Sequence, residues 1–156
     1  MAIAQVRHEL IRPQMSRNIL IAGSRYIHDD SINALTAAGY NLLVNSNTYY
    51  ASIYLETHKG YSHIGLLVAE VEPGEGLRPE AKHGMNLGSR LTDKVLNENP
   101  GAKVLVIYNQ VEDMWRVRGD QTNKLHSMQP PVIPRELVEI VNSIYSGRQT
   151  TRITTP

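Results

Sequence analysis

Short apolar segments recur along the chain, and this feature constrains the fold more than any other. The four clearest are NILIAG (18–23), YNLLVNS (40–46), HIGLLVAEV (63–71) and KVLVIYN (103–109). Apolar runs of this length without polar alternation are typical of strands that are buried on both faces. A weaker fifth strand is predicted at KLHSM, residues 124–128.

The segments between these strands carry the spacing and the end signals of helices. The first, DDSINALTAAGY, can be capped at its start by Asp29, Asp30 or Ser31 and is ended by Gly39. Three further helices are predicted at residues 48–60, 85–101 and 134–147. A short helix is predicted at VEDMWRVRG, residues 111–119.

Five strands that alternate with about five helices through short connections imply right-handed crossovers and a parallel sheet. We therefore predict a single-domain, three-layer α/β sandwich of the flavodoxin-like type, with helices on both faces of a five-stranded sheet. The length of 156 residues is that of one domain, and no internal repeat or linker divides the chain.

Both ends of the chain lie outside this pattern. We predict residues 1–16 as a partly disordered N-terminal extension, with Met15 as an alternative start, and residues 148–156 as a flexible polar tail. Residues 17–147 then form the domain. The first residues lack the apolar core of a signal peptide, and no apolar run approaches the roughly 20 residues that cross a bilayer.

Composition argues against several kinds of partner and site. Sixteen basic and fifteen acidic side chains give a net charge of +1, too little to attract a polyanion, so neither nucleic acid nor a membrane is an expected partner. The absence of cysteine excludes thiolate metal sites and favours the cytoplasm. His58 and His63 lack a third ligand for zinc, and no metal or cofactor is predicted.

Several motifs follow one another in a characteristic order. NILIAG opens the sheet, LTAAGYNLLVNSNTYYASIYL combines helix, Gly-Tyr turn, strand and helix, and LLVAEVEPGEG places a Pro-Gly turn after the third strand. LNENPGAKVLVIY and MQPPVIPRELVEIVNSI complete the series. This order resembles the receiver domain of bacterial response regulators, the CheY-like family, over about residues 17–146. The resemblance implies the strand order 2-1-3-4-5.

Receivers catalyse their own phosphorylation on an aspartate that ends the third strand. Two acidic residues after the first strand hold Mg²⁺, while a Thr or Ser ending the fourth strand and a Lys ending the fifth bind the phosphate. The resemblance places the phosphorylated aspartate at Ala69 or Glu70, and the acidic pair at Gly23 and Ser24 (or Ala22 and Gly23). It places the Thr or Ser at Tyr108 or Asn109, and the Lys at Gln129.

Every one of these positions has lost the residue type that the chemistry needs. The sequence therefore predicts a stand-alone pseudo-receiver that is not an enzyme and that acts in signal transduction by phosphorylation-independent protein–protein interaction. Tyr108 is also bulky enough to fill part of the pocket itself.

The acidic residues near this pocket allow more than one interpretation. Glu70 either imitates a phospho-aspartate as a permanent carboxylate or is a charged strand end that faces solvent, like the nearby Glu72 and Glu75. Asp29 and Asp30 either replace the lost acidic pair or, more simply, belong to the start of a helix.

A candidate interaction surface lies in the segment EDMWRVRG. Aromatic and Arg side chains are enriched at interface hot spots, and the segment contains Met114, Trp115, Arg116 and Arg118. In receivers this region mediates docking and dimerisation, so we expect a signalling protein or a second copy of the chain as partner. Alternatively, Trp115 only covers the sheet and the two arginines form a solvated edge.

A second function remains open at the turn Gly23-Ser24-Arg25. Backbone amides after a first strand can bind phosphate at a helix start, which would indicate a small Rossmann-like protein that binds or processes nucleotides. The turn contains a single glycine where a dinucleotide fingerprint has three.

Overall fold

Six parallel strands form one sheet in the computed structural model of the protein, which describes residues 16–58, 63–71, 87–109, 123–147 and 151–152. The strands are β1 (Asn18–Ala22), β2 (Asn41–Asn45), β3 (Leu66–Glu70), β4 (Lys103–Ile107), β5 (Leu125–Met128) and β6 (Thr151–Arg152). Their order in the sheet is β2-β1-β3-β4-β5-β6. The predicted five-stranded sheet and its order 2-1-3-4-5 are confirmed. The two-residue β6, which pairs with β5, was not predicted.

Within the described ranges, four helices cover the two faces of this sheet. They are α1 (Asp29–Ala37), α2 (Thr48–His58), α3 (Leu87–Glu98) and α4 (Pro134–Tyr145). Helices α1 and α4 pack together on one face and α2 and α3 on the other, which confirms the three-layer sandwich. None of the helices in the described ranges is long and apolar enough to span a bilayer. The short helix expected at 111–119 lies outside the described residues, as do residues 1–15.

Strand β3 shows why the apolar runs lack polar alternation. All five of its residues are buried, and they point by turns into the two helical layers. Leu67 and Ala69 belong to the hydrophobic cluster beneath α2 and α3, whereas Leu66 and Val68 belong to the cluster beneath α1 and α4. Because both faces of this central strand are covered, its residues Leu66 to Ala69 are all apolar.

The start of α1 differs from the prediction. The helix begins at Asp29, so that His28 is its N-cap residue, without a side-chain capping bond. Asp29 and Asp30 lie in the first turn, where their negative charges are favourable beside the positive end of the helix dipole. The predicted end is confirmed, because Gly39 follows the helix with a φ of +96° that favours glycine.

At the amino-terminal ends of the strands, Arg17 links the start of the domain to the segments that end α1 and α4. Its guanidinium carbon lies 4.2 Å from the ring centroid of Tyr40, and its Nε donates to the carbonyl of Gly39 at 3.4 Å. The Tyr145 hydroxyl, whose pKa is raised mainly by burial, donates to the carbonyl of Ser16 at 2.6 Å. These contacts hold the beginning of the domain against the ends of α1 and α4.

Gly65 precedes β3 and is buried against the backbone of Ser16. A Cβ at this position would overlap the Ser16 carbonyl oxygen, so we expect Gly65→Ala to lower the free energy of unfolding by about 1–3 kcal/mol. Urea denaturation followed by circular dichroism measures the change.

Gly101→Ala is the matched control, because a Cβ there would meet no atom closer than the Asn99 side chain at 3.6 Å. Its effect should stay within about 0.5 kcal/mol. Equal losses of stability in the two variants would contradict the close contact at Gly65.

Candidate functional site

Glu70, the last residue of β3, turns its carboxylate towards the loop that follows β1. Its Oε1 accepts the N–H of Arg25 at 2.8 Å, and its Oε2 accepts the N–H groups of Tyr26 and Ile27 at 2.9 and 2.7 Å. Successive backbone amides that surround one anion in this way form a nest. We refer to the amides of residues 25–27 as the amide nest.

The burial of Glu70 rules out one of the two interpretations of this residue. Glu70 is only 5 % exposed, so the interpretation of a strand end that faces solvent is wrong. A carboxylate that leaves water needs other donors, and the amide nest provides them.

Gly23 makes this approach between β3 and the loop sterically feasible. Its φ is +150°, and a Cβ built on it would lie 2.5–2.7 Å from the Cδ, Cγ and Cβ atoms of Glu70. Its N–H also donates to the carbonyl of Asn45 at 2.9 Å, which holds the end of β1 to β2. Any larger residue would therefore displace the Glu70 side chain.

A cavity of about 370 Å³ lies beside Glu70, at the carboxyl ends of the first three strands. Its lining comes from the loop after β1 (Gly23, Ser24 and Arg25), from the loop after β2 (Ser46 and Asn47) and from the end of β3. A sheet of this order changes its winding direction between β1 and β3, and open α/β sheets commonly bind ligands at such a point.

The polar groups after β2 also join the two neighbouring loops. The Ser24 hydroxyl donates to the Ser46 carbonyl at 3.4 Å, and Asn47 Oδ1 accepts the N–H of Tyr50 at 2.9 Å. Asn47 therefore caps the start of α2. Ser46 and Asn47 were not predicted as members of the site, although an Asn directly before a helical segment is a recognisable capping signal.

Two of the predicted pocket positions, Ala69 and Tyr108, point into the layer of α2 and α3. Ala69 is fully buried and stands in register between Ala22 of β1 and Val106 of β4. Tyr108 packs against the cluster beneath α2 and α3 and does not line the cavity. Strand alternation directs Tyr108 into the same layer as Val106 and Ala69.

Asn109 and Gln129 meet at the ends of β4 and β5. The Gln129 side-chain Nε2 donates to the carbonyl of Asn109 at 3.4 Å, and the following Pro130–Pro131 peptide bond is cis. Neither residue lines the cavity. The structure thus brings together Gly23, Ser24 and Glu70, and it leaves the other predicted pocket positions outside this group.

Asp29 and Asp30 are exposed and do not line the cavity, so they do not replace the lost acidic pair. Among the residues that the structure describes, no three His, Asp or Glu side chains are grouped so as to hold a metal ion. The predicted interaction surface, made of Met114, Trp115, Arg116 and Arg118, lies outside the described residues.

Comparison with solved structures identifies the fold. A response regulator from Thermotoga maritima matches with a TM-score of 0.54 and 20 % identity, over 84 % of this chain and 98 % of that one. A CheY-like receiver domain protein from Methanospirillum hungatei JF-1 matches with 0.56 and 16 %, over 86 % and 96 %. For the Vibrio cholerae chemotaxis protein CheY4 the values are 0.53 and 12 %, over 83 % and 98 %. The chain has the fold of a response-regulator receiver domain.

The matched structures cover 83–86 % of this chain. Comparisons with protein-family models and with curated proteins find no match. Within the receiver fold, the end of β3 presents two side chains in opposite directions, the buried Ala69 and the carboxylate of Glu70. The chemistry of the site therefore depends on Glu70 and its amide nest.

Glu70→Gln tests the amide nest with almost no change of side-chain size. One oxygen becomes an NH₂ group, which leaves at least one amide donor without an acceptor and removes the charge from the remaining bonds. We expect the free energy of unfolding to fall by about 2 kcal/mol or more, and the backbone amide resonances of residues 25–27 to shift. Urea denaturation and NMR spectra measure the two effects.

The matched control is Glu56→Gln on α2. The Glu56 side chain is 60 % exposed and pairs with Lys94 at 3.3 Å, and such surface pairs contribute less than about 1 kcal/mol. If the two variants lost the same small amount of stability, the amide nest would have no special role.

Proposed function

We propose that this protein is a receiver-like signalling module that acts through protein–protein interaction and does not carry a phosphoryl group. The observation that supports the proposal is the binding of the Glu70 carboxylate by three backbone amides. A receiver needs the opposite arrangement at this edge of the sheet, namely a carboxylate that is available as a nucleophile beside a bound Mg²⁺ ion.

The hydrogen bonds of Glu70 oppose its use as a nucleophile. Both carboxylate oxygens accept N–H groups, one at Oε1 and two at Oε2, so both are directed into the loop after β1. An oxygen that accepts hydrogen bonds has less electron density to donate to phosphorus. Ala69, the other candidate for the acceptor position, has no nucleophilic group.

The loop after β1 also opposes Mg²⁺ binding. Gly23 and Ser24 offer no carboxylate, whereas Mg²⁺ is usually bound through one or two carboxylates and its own water molecules. The amide nest places the positive ends of three N–H dipoles where a receiver holds its cation. The loop therefore suits an anion, and the side chain of Glu70 is that anion.

We infer signalling without phosphorylation because the Glu70 carboxylate already supplies a negative charge at this site. We propose that Glu70 imitates the phosphorylated state as a permanent carboxylate and keeps the loop after β1 in one arrangement. The expected partner is another protein of a cytoplasmic signalling pathway. The surface that we propose for docking is the segment containing Met114, Trp115, Arg116 and Arg118.

Incubation with acetyl phosphate and Mg²⁺, followed by intact mass spectrometry, tests the absence of phosphoryl transfer. We expect no phosphoryl adduct, because among the described residues neither a free carboxylate nor an acidic pair lines the cavity. A receiver domain with its aspartate and acidic pair, treated in parallel, is the positive control and should gain one phosphoryl group.

A phosphoryl adduct on this chain would overturn the proposal. Loss of that adduct in Glu70→Gln would further identify Glu70 as the acceptor. Its persistence in this variant would point to another residue.

The cavity beside Gly23, Ser24 and Arg25 supports a second candidate function, the binding of a nucleotide. Its volume of about 370 Å³ is in the range of small-molecule sites, and the Arg25 side chain supplies a positive charge. The amides that a phosphate would need are, however, already bonded to Glu70. This competition favours the interaction module over the nucleotide site.

Thermal denaturation in the presence of nucleoside mono-, di- and triphosphates separates the two candidates. The interaction module should show no change in Tm. A nucleotide site should show a rise in Tm that Arg25→Ala abolishes and that Arg135→Ala, an exposed arginine outside the cavity, does not. Gly23 is unsuitable for this test, since any side chain there displaces Glu70.

A further inference from the structure

Strand β2 forms one edge of the described sheet and pairs only with β1. The N–H of Asn41 donates to the Arg17 carbonyl, and the carbonyl of Asn45 accepts the N–H of Gly23. Because successive residues of a strand alternate in direction, Leu42 and Val44 turn their N–H and C=O groups away from β1. Within the described ranges, no strand lies beside these four groups.

The outer edge of β2 lacks the features that usually keep sheet edges apart. Such edges carry lysines, prolines or bulges, and the sequence Asn-Leu-Leu-Val-Asn contains neither residue. Val44 is 53 % exposed. The adjoining first two turns of α2, residues 48–54, are also uncharged and expose Tyr49, Tyr50 and Ile53.

The strand has nearly the same chemistry when it is read in either direction from Leu43. In an antiparallel pair of two copies, Asn41 would face Asn45, Leu42 would face Val44, and Leu43 would face its own copy on the two-fold axis. Leu42 and Val44 are the residues with outward N–H and C=O groups. They would therefore form the hydrogen-bonded pairs of the antiparallel ladder, two bonds on each side of the axis.

We propose that two copies of this chain associate through their β2 edges into a symmetric dimer with a continuous sheet. Across a two-fold axis the same surface meets itself, so an uncharged surface can pair without repulsion between like charges. The edge of β2 and the start of α2 meet this condition. The exposed faces of α3 and α4 do not, since they carry the following charged residues: Arg90, Lys94, Glu98, Arg135 and Glu139.

A second copy fits this edge better than an unrelated peptide. Edge strands also bind extended peptides of other proteins, but such binding does not require the near-palindromic order of Asn, Leu and Val in β2. The dimer would use only β2 and the start of α2, so the proposal does not depend on the proposed docking segment around Trp115 or on the state of Glu70.

Sedimentation equilibrium of the full chain, from about 1 μM to about 1 mM, tests the dimer over the range of ordinary affinities. We expect the apparent mass to rise from 17.5 kDa towards twice that value. Val44→Lys should weaken association at least about tenfold, because it adds a charge to the edge. Ile133→Lys is the matched control, since Ile133 is 46 % exposed and lies outside β2 and α2, and should leave Kd unchanged.

Val44→Pro tests the hydrogen bonds separately from the charge. It removes an outward N–H and leaves the N–H and C=O groups that face β1 in place, and prolines occur at such edge positions. Circular dichroism checks that the variant folds, and the same loss of association is expected. Hydrogen exchange adds a direct readout: the amides of Leu42 and Val44 should become protected as the concentration rises, whereas that of Leu43 is protected throughout.

Several results would overturn the proposal. They are a monomer up to about 1 mM, a dimer that Val44→Lys and Val44→Pro leave intact, or equal weakening by Ile133→Lys. A monomer whose Leu42 and Val44 amides become protected only by an extended peptide of another protein would also overturn it, and would assign the edge to that partner.

Discussion

The burial of one carboxylate controls the arrangement of the candidate site. Glu70 ends a strand whose other residues are all apolar, and its charge can remain there only if donors replace the lost water. Three consecutive amides of the loop after β1 meet this need, and they can do so because Gly23 has no side chain in the way. The start of α1, the end of β1 and the end of β3 are thereby joined through one group. The cavity beside Glu70 takes its shape from the same contacts.

The two ends of the strands are held by different interactions. At their amino-terminal ends, Arg17, Tyr40 and Tyr145 join the first residues of the domain to the ends of α1 and α4 through hydrogen bonds and a cation–π contact. At their carboxyl-terminal ends, the negative charge of Glu70 is bound by backbone dipoles. A switch that works by adding a phosphoryl group needs a vacant anion site at the carboxyl-terminal ends. Here the protein's own side chain occupies the amide nest, which is consistent with a module whose state is constant.

Predictions from local patterns were confirmed where runs of apolar residues mark buried strands and helix faces. The five strands and the helical layers followed from apolar runs such as residues 66–70 and from glycines such as Gly39, whereas the strand order came from the resemblance to receiver domains. The N-cap of α1 was expected at Asp29, Asp30 or Ser31 and lies at His28, because Asp29 and Asp30 favour a helix start equally well as caps or as first-turn residues. The alternation of β4 directs Tyr108 against the cluster beneath α2 and α3. No interaction surface was predicted at Val44 and its neighbours, since the apolar pattern of an edge strand can be the same as that of a central strand.

The sequence by itself determined that this chain folds as an α/β sandwich and that Glu70 would end its third strand. It also determined that no acidic pair follows the first strand. Only the tertiary structure decided where the Glu70 carboxylate points, that the amides of residues 25–27 receive it, and that the outward groups of β2 are Leu42 and Val44. The physical reason is the range of the interactions. Strand and helix patterns depend on neighbours a few residues apart, whereas Glu70 and its donors are 43 to 45 residues apart and meet only when β1 and β3 pair.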